Sequence, residues 1–367
     1  MRRTDPLILG GGPAGASAAI VLAKGGAKPL ILERSRQTGD ALCGGFMSWR
    51  TLQSLERIGV PVTALSGHKV SRVRLFAGQG MAEAALPGGA IGVSRHRLDS
   101  HLLQSASAAG AGIERGVTIR SLSPNGIVDT EGGQSFDAES VFLATGKHNV
   151  RGFARPRSDA DPAMGLRIRL PRHASFDRLI GDAIELFLFD GGYAGIVLQE
   201  DGSANICLAV RKSRLTAVGG APLDLITALG RASPQFGERI STLTADIAVD
   251  AIAAVPYGWR ATDTEIGLFR LGDQAAVIPS LAGEGNGIAI ASGRAAALAW
   301  LAGGATSAPA FQSAFAARTR SPVGIASRLW HWAERPALAS GAVRLLRIAP
   351  RLAGIMAQAT RIKSDGS

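Results

Sequence analysis

Two glycine-rich segments near opposite ends of the chain narrow its fold more than any other feature. The first, Gly10-Gly11-Gly12-Pro13-Ala14-Gly15, has the spacing G-x-G-x-x-G. The apolar run Pro6-Leu7-Ile8-Leu9 before it reads as a buried parallel strand, and Ala16 to Lys24 after it as a small-residue helix stopped by Gly25-Gly26. In a strand–turn–helix unit of this kind Gly10 permits the tight turn and Gly12 lets backbone approach a pyrophosphate. Gly15 lets the helix pack on the strand, and the helix aims its free N–H groups at the phosphates across Pro13 and Ala14. A second strand, Pro29 to Leu32, ends at Glu33, 18 residues past Gly15. A carboxylate there accepts hydrogen bonds from ribose hydroxyls, with Arg34 beside it in the same site.

The second segment has its own physical logic. Ile266 to Leu271 reads as a strand running into Gly272-Asp273, where a carboxylate at the strand end suits a sugar-alcohol chain. Pro279 follows, and then Gly283-Glu284-Gly285-Asn286-Gly287 opens a long small-residue helix, Ile288 to Leu301. This second helix N-terminus suits the partial negative charge of a flavin N1/C2 carbonyl region. In this order, the two segments point to FAD held at two places.

Four stretches carry a family resemblance: the N-terminal fingerprint with Glu33; Cys43-Gly44-Gly45; Ser94-Arg95-His96-Arg97-Leu98-Asp99-Ser100-His101-Leu102; and the run Gly272-Asp273 through Pro279 to Gly285. Through them, over roughly residues 5 to 305, the chain resembles FAD-dependent oxidoreductases of the glutathione-reductase-fold superfamily, in the geranylgeranyl reductase and p-hydroxybenzoate hydroxylase branch. The resemblance implies that Arg95 lies near the FAD pyrophosphate and that Asp273 binds the ribityl chain. It also puts the loop Ala144-Thr145-Gly146-Lys147-His148 beside the cofactor and Cys43, Gly44 and Gly45 near the isoalloxazine. Where the hydroxylase branch has an Asp-Gly pair, this chain has Thr145-Gly146, which weakens direct nicotinamide binding there. NAD(P)H stays a candidate electron donor.

The middle of the chain reads as the substrate half. Met164 to Leu170 alternates with period two, as do Ala183 to Phe189 and Tyr193 to Gln199. Glu200-Asp201-Gly202-Ser203 is a hairpin turn, and Asn205 to Val210 returns. The expected fold class is α/β: a Rossmann-like FAD-binding domain of parallel sheet and flanking helices, an antiparallel-sheet substrate domain, and a helical C-terminal tail. The expected boundaries are 1–165 with 262–310 for the FAD-binding domain, including a short inserted β segment near 66–92. The substrate domain takes 166–261 and the tail 311–367.

A length of 367 residues suffices for two joined domains. Two cysteines, Cys43 and Cys207, imply no disulfide framework. The N-terminus runs straight into the first strand, and no run of 18 apolar residues occurs. The expectation is a cytoplasmic protein, or one peripheral at the inner face of the membrane. The formal net charge is +11, yet the basic residues are scattered, so no nucleic-acid partner is implied. The exception is the tail, where Arg318, Arg320, Arg328, Arg335, Arg344, Arg347, Arg351, Arg361 and Lys363 face only Glu334. Leu345, Leu346, Ile348, Leu352, Ile355 and Met356 there suit one side of two short helices broken at Pro350. Such a tail either docks on its own protein or lies on a membrane surface; docking is the commoner use.

Candidate catalytic residues are Cys43, His148 and Tyr193. Tyr193 opens Tyr193-Ala194-Gly195-Ile196-Val197-Leu198, where geranylgeranyl reductases carry Tyr-x-Trp-x-Phe-Pro; Gly195 and Val197-Leu198 imply a differently shaped cavity. Trp330-His331-Trp332 does not make the flavin-halogenase signature, and the six histidines lack metal-ligand spacing. The expected chemistry is hydride transfer between flavin N5 and a C=C bond of a hydrophobic small molecule. Two alternatives stay open. One is a monooxygenase hydroxylating an aromatic or polyketide-like substrate through a flavin C4a-hydroperoxide. The other is an electron-transfer flavoprotein docking to a membrane or partner.

Overall fold

The computed structural model describes residues 1–156 and 160–362. Lys363, counted among the basic tail residues, lies outside them. The apolar runs flanking the two glycine segments meet in one five-stranded parallel sheet. Its order is Leu268–Arg270, Val141–Leu143, Leu7–Leu9, Leu30–Glu33, Gly112–Arg115. Alternation of side chains across these strands splits them between two cores. Ile8, Ile31, Phe142 and Phe269 pack against helices. Leu7, Leu9, Leu30, Leu32, Val141 and Leu143 pack against a small sheet built from Arg2–Arg3, Ser135–Asp137, Ile127–Thr130 and Ile119–Leu122. A strand buried on both faces must be apolar throughout, which explains Leu7-Ile8-Leu9 and Leu30-Ile31-Leu32.

Helices Pro13–Lys24 and Gly285–Gly303, each starting at one of the glycine segments, cross in near contact. A Cβ at Gly293 would lie 2.3 Å from the Ala14 carbonyl oxygen and 3.0 Å from the Ala18 nitrogen. The absence of a side chain there sets the separation of the two helices. Both N-termini lie on the same cavity.

The alternating segments of the middle form an eight-stranded sheet, in the order Asp250–Val255, Ala163–Leu170, Ala204–Arg211, Gly192–Leu198, Ala183–Phe189, His68–Ala77, Gly80–Gly92, Phe46–Met47. All pairs are antiparallel except Ala183–Phe189 with His68–Ala77. The β segment expected near 66–92 as an insertion in the FAD-binding part is therefore hydrogen-bonded into the large sheet. Phe187 opposes Phe76 there, with stacked rings 4.3 Å apart. Parallel pairing between distant segments needs a long crossover and leaves no local signal. One face of this sheet is covered by Pro222–Ala232 and Pro234–Arg239 through Leu225, Ile226 and Phe236. On that side Glu185 is fully buried and ion-paired with Arg74 at 3.0 Å and Arg239 at 2.9 Å.

The C-terminal segment is helical, as expected. Ala308–Ala333 packs into the core through Phe311, Phe315 and Trp330. The helical run 285–333 has the length and composition of a membrane span. Its buried Ile290, Ala296, Phe311 and Trp330 show it to be a core element. Pro336–Ile348 and Arg351–Ala359 follow, separated at Pro350. Ala339, Val343 and Leu346 bury against Ala77 and Ala82 of the 68–92 hairpin.

Candidate active site

All but three of the site residues expected from sequence line one cavity of about 1250 Å3; Gly15, Pro279 and Gly287 stand one layer behind it. Its volume exceeds the roughly 300–1,000 Å3 of pockets for one drug-sized ligand. One part is built from turns and charges. Strand Leu7–Leu9 delivers Gly10 at φ +105°, where a Cβ would stand 2.6 Å from the Ala144 carbonyl oxygen. A Cβ at Gly15 would lie 2.0 Å from the Gly10 oxygen, so this turn closes only on hydrogen. Helix Pro13–Lys24 has no side-chain cap, which leaves its first N–H groups open to an anion.

Glu33 ends its strand as expected. One carboxylate oxygen accepts from the Gly11 N–H at 2.7 Å and the other from Ser35 N–H at 2.8 Å, so the side chain also pins the turn. Arg95 begins helix Arg95–Ala108, capped by Ser94, and points back at Gly12: its Nη2 lies 3.5 Å from where a Gly12 Cβ would be. Asp99, one turn on, accepts from Arg95 Nε at 2.8 Å and Nη2 at 2.7 Å. Burial works against the guanidinium charge, and Asp99 more than restores it, holding Arg95 above its ordinary value. The result is a permanent, oriented cation beside the dinucleotide turn.

The loop 39–45 is held by a residue that sequence reading missed. Arg167, on strand Ala163–Leu170, donates to Asp40 Oδ2 at 2.9 Å and to the carbonyls of Asp40 and Ala41 at 2.7 and 3.1 Å. It also pairs with Asp250 at 2.5 Å. Cys43 is half-buried at the cavity wall, its Sγ 3.7 Å from Asn286 Nδ2, and its carbonyl accepts from Asn205 Nδ2 at 3.1 Å. Gly44 and Gly45 follow, Gly44 with open space where a Cβ would project. Cys207 lines the same cavity, and burial pushes its thiol up to about 12.

Across the cavity, the Ala144–Asn149 loop is clamped by two further residues that sequence reading missed. Arg155 donates to the Asn149 side chain at 3.0 Å and to the carbonyls of Lys147 at 2.6 Å and Asp273 at 2.9 Å. Gln274 Nε2 donates to the carbonyls of Gly146 and His148, each at 2.9 Å. Thr145 Oγ1 also donates to the His148 carbonyl, at 2.7 Å. His148 thus builds the loop with its backbone. Partial burial, then the charges of Arg34, Lys147 and Arg155, hold its imidazole below its ordinary value and hence neutral near pH 7. Asp273 faces the cavity, 3.8 Å from Lys147 Nζ.

The second glycine segment presents Gly285 and Asn286 at the uncapped N-terminus of Gly285–Gly303. Glu284 just before it turns inward, fully buried. It accepts from Ser48 Oγ at 3.2 Å, Arg361 Nη1 at 3.1 Å and the Ile362 N–H at 3.3 Å. The end of the described chain is thereby fastened at the start of helix Gly285–Gly303. Pro279 sets the turn Ser280–Ala282, which holds Ser280 open to the cavity. Both tyrosines of the chain converge on it: Tyr193 Oη donates to Ser280 Oγ at 2.7 Å, and Tyr257 Oη lies 2.7 Å from the same oxygen. Burial raises both phenols well above their ordinary value, so both stay protonated. Trp330 packs against both rings at 5.8 and 5.7 Å.

The residues present fit FAD. Cβ atoms at Gly44, Gly146 and Gly285 would meet no protein atom within 4 Å; these three glycines, from three separate segments, leave open a cradle that side chains would fill. Two uncapped helix N-termini, one fixed guanidinium and two carboxylates surround it.

Comparison with known proteins agrees. An FAD binding domain family matches residues 3–135. Digeranylgeranylglycerophospholipid reductase 2 of Methanopyrus kandleri is 29% identical over 321 residues, 80% of this chain and 75% of that protein. Among solved structures, P. aeruginosa PqsL in complex with 2-aminobenzoylacetate superposes with TM-score 0.76 at 15% identity, covering 93% of this chain and 99% of that one. Halogenase PltM in complex with phloroglucinol and FAD superposes with TM-score 0.74 at 15% identity, covering 98% and 85%. The structural likenesses establish the fold; with the domain match and the reductase relative beside them, this chain is an FAD-dependent oxidoreductase similar in sequence to the geranylgeranyl reductases.

Proposed function

We propose that the enzyme acts on a hydrophobic small molecule at a C=C bond, and that bound FAD supplies the two-electron hydride chemistry, in either direction. The observation that carries this reading is the second part of the cavity. Val73 and Leu75 of the hairpin, Ile184, Leu186 and Leu188 of the large sheet, and Leu346 of the tail line it. Strand alternation turns these side chains away from the helix-covered core and into the cavity. An aliphatic wall of this kind binds by excluding water and gives a polar substrate few partners.

In this reading 1–165 and 262–310, without the 68–92 hairpin, hold FAD. Residues 166–261 with that hairpin shape the substrate end, and the tail from 311 closes it. Gly10, Gly12, Pro13, Ala14 and Arg95 take the pyrophosphate; Glu33 and Arg34 the adenosine side; Asp273 the ribityl chain. Cys43, Gly44, Gly45, Gly285 and Asn286 face the ring. Tyr193, kept protonated and bonded to the cavity-facing Ser280, is the group that holds a proton at the apolar end. Cys43 is the second candidate for that task.

The test is anaerobic. FAD-loaded protein is reduced and mixed with a panel of long-chain prenyl alcohols and their saturated counterparts. Reoxidation by unsaturated members alone supports the reading. Failure of every alkene, with hydroxylated product appearing once oxygen is admitted, assigns the enzyme to the monooxygenases instead. NADH and NADPH are the donors to try first.

A further inference from the structure

The tail helices have two apolar faces, and only one is covered. In Pro336–Ile348, Ala339, Val343 and Leu346 recur at helical spacing and bury on the hairpin. Leu338, Leu345 and Ile348 recur at the same spacing on another face and are exposed, Ile348 by 84%. Trp332 before this helix and Ile355 in the next are also exposed. Of the ten large apolar side chains exposed among the described residues, five thus fall between 332 and 355. Scattered exposed hydrophobes need no explanation, but a concentration of them marks a surface that meets something apolar.

Charge identifies what that is. Arg335, Arg344, Arg347 and Arg351 are exposed in the same segment, and no Asp or Glu occurs between 335 and 362. Among the described residues none of these four makes an ion pair. A second copy of the chain would set this basic edge against itself, since a two-fold interface pairs identical surfaces. An anionic lipid headgroup layer over an apolar interior matches both features together. Trp332, Leu338 and Leu345 are exposed and also line the cavity, so its mouth opens within this patch.

We infer that the outer face of the tail seats on an anionic bilayer and presents the cavity mouth to it, so that the substrate enters from lipid. The substrate part of this rests on the function proposed above; the docking does not. Arg344, Arg347, Ile348 and Ile355 are exposed and line no part of the cavity, so they can be changed without touching the FAD site or the buried face.

FAD-loaded full-length protein is sedimented with vesicles of equal parts phosphatidylcholine and phosphatidylglycerol, and with phosphatidylcholine alone. The anionic vesicles should bind it at least about 10-fold more strongly, with binding weakened by about 0.5 M salt. Arg344→Gln with Arg347→Gln should weaken binding about 25-fold, at roughly five-fold per arginine. Ile348→Ser with Ile355→Ser, both exposed and outside the cavity lining, should weaken it as well, each variant keeping the flavin spectrum and melting temperature of the parent. Equal binding to both vesicle types overturns the inference, as does parental binding by both variants. It is also overturned if the protein ignores vesicles but dimerises through a face that Ile348→Ser and Ile355→Ser disrupt. Vesicle binding without alkene-dependent reoxidation leaves the docking intact and sinks the proposed reaction alone.

Discussion

Arg361 and Glu284 show how much one pair can control. Their side chains are only 4% and 0% exposed, 3.1 Å apart, and the guanidinium also donates to the Ala282 carbonyl and lies over the Trp49 ring. Removing one partner strands the other in a low-dielectric setting. Arg361→Gln should cost about 3–5 kcal/mol, and adding Glu284→Gln should recover much of it; thermal melts of the FAD-free protein measure both. Burial raises the Glu284 carboxyl above its ordinary value, with Arg361 opposing. A raised folded-state value favours the protonated form, so stability associated with it is full below the ordinary 4.5 and is lost as pH rises through the folded value. The defect of Arg361→Gln should therefore be small in acid and grow toward neutral pH; a pH-independent defect would mean that Glu284 is not the stranded group.

The two cysteines make a second test at this scale. Cys207, with its thiol near 12, is a poor nucleophile at pH 8. Iodoacetamide should label Cys43 and spare Cys207, and FAD should slow labelling of Cys43, as read by peptide mass spectrometry. Labelling of Cys43 at the same rate with and without FAD would remove it from the cofactor's surroundings.

At the scale of elements, the crossing of Pro13–Lys24 and Gly285–Gly303 ties both glycine segments to one geometry. Gly293→Val places side-chain carbons where the Ala14 carbonyl and the Ala18 nitrogen already stand. The helices must separate, and overpacking of this kind costs about 1–3 kcal/mol. FAD affinity, measured by fluorescence quenching, should fall although residue 293 touches no part of the cavity. An unchanged affinity would show that the two helix ends bind independently. These helices were legible in the sequence because their signals are local: a glycine turn, an apolar run before it, small residues after it. The strands from Ala163 to Arg211 were legible for the same reason, through alternation and the Glu200–Ser203 turn. The pairing of the hairpin 68–92 with Ala183–Phe189 was not legible in the sequence, because the two segments lie far apart along the chain. Arg155, Arg167 and Gln274 escaped notice likewise: Arg167 and Gln274 clamp loops remote in sequence, Arg155 joins its nearby loop to the distant Asp273 carbonyl, and nothing about an isolated Arg or Gln announces such partners.

For the whole molecule, the eight-stranded sheet and the tail build the apolar part of a cavity whose other part is a dinucleotide cradle. That pairing underlies the claim that a hydrophobic substrate is reduced or dehydrogenated at bound FAD. The most direct measurement is a stopped-flow record of the FAD-loaded protein, reduced without oxygen and then mixed either with an unsaturated prenyl alcohol under argon or with oxygenated buffer. The account predicts return of the oxidised flavin spectrum with the alkene alone, and single-step return with oxygen. No response to any alkene, together with a long-lived intermediate spectrum after oxygen, would contradict it.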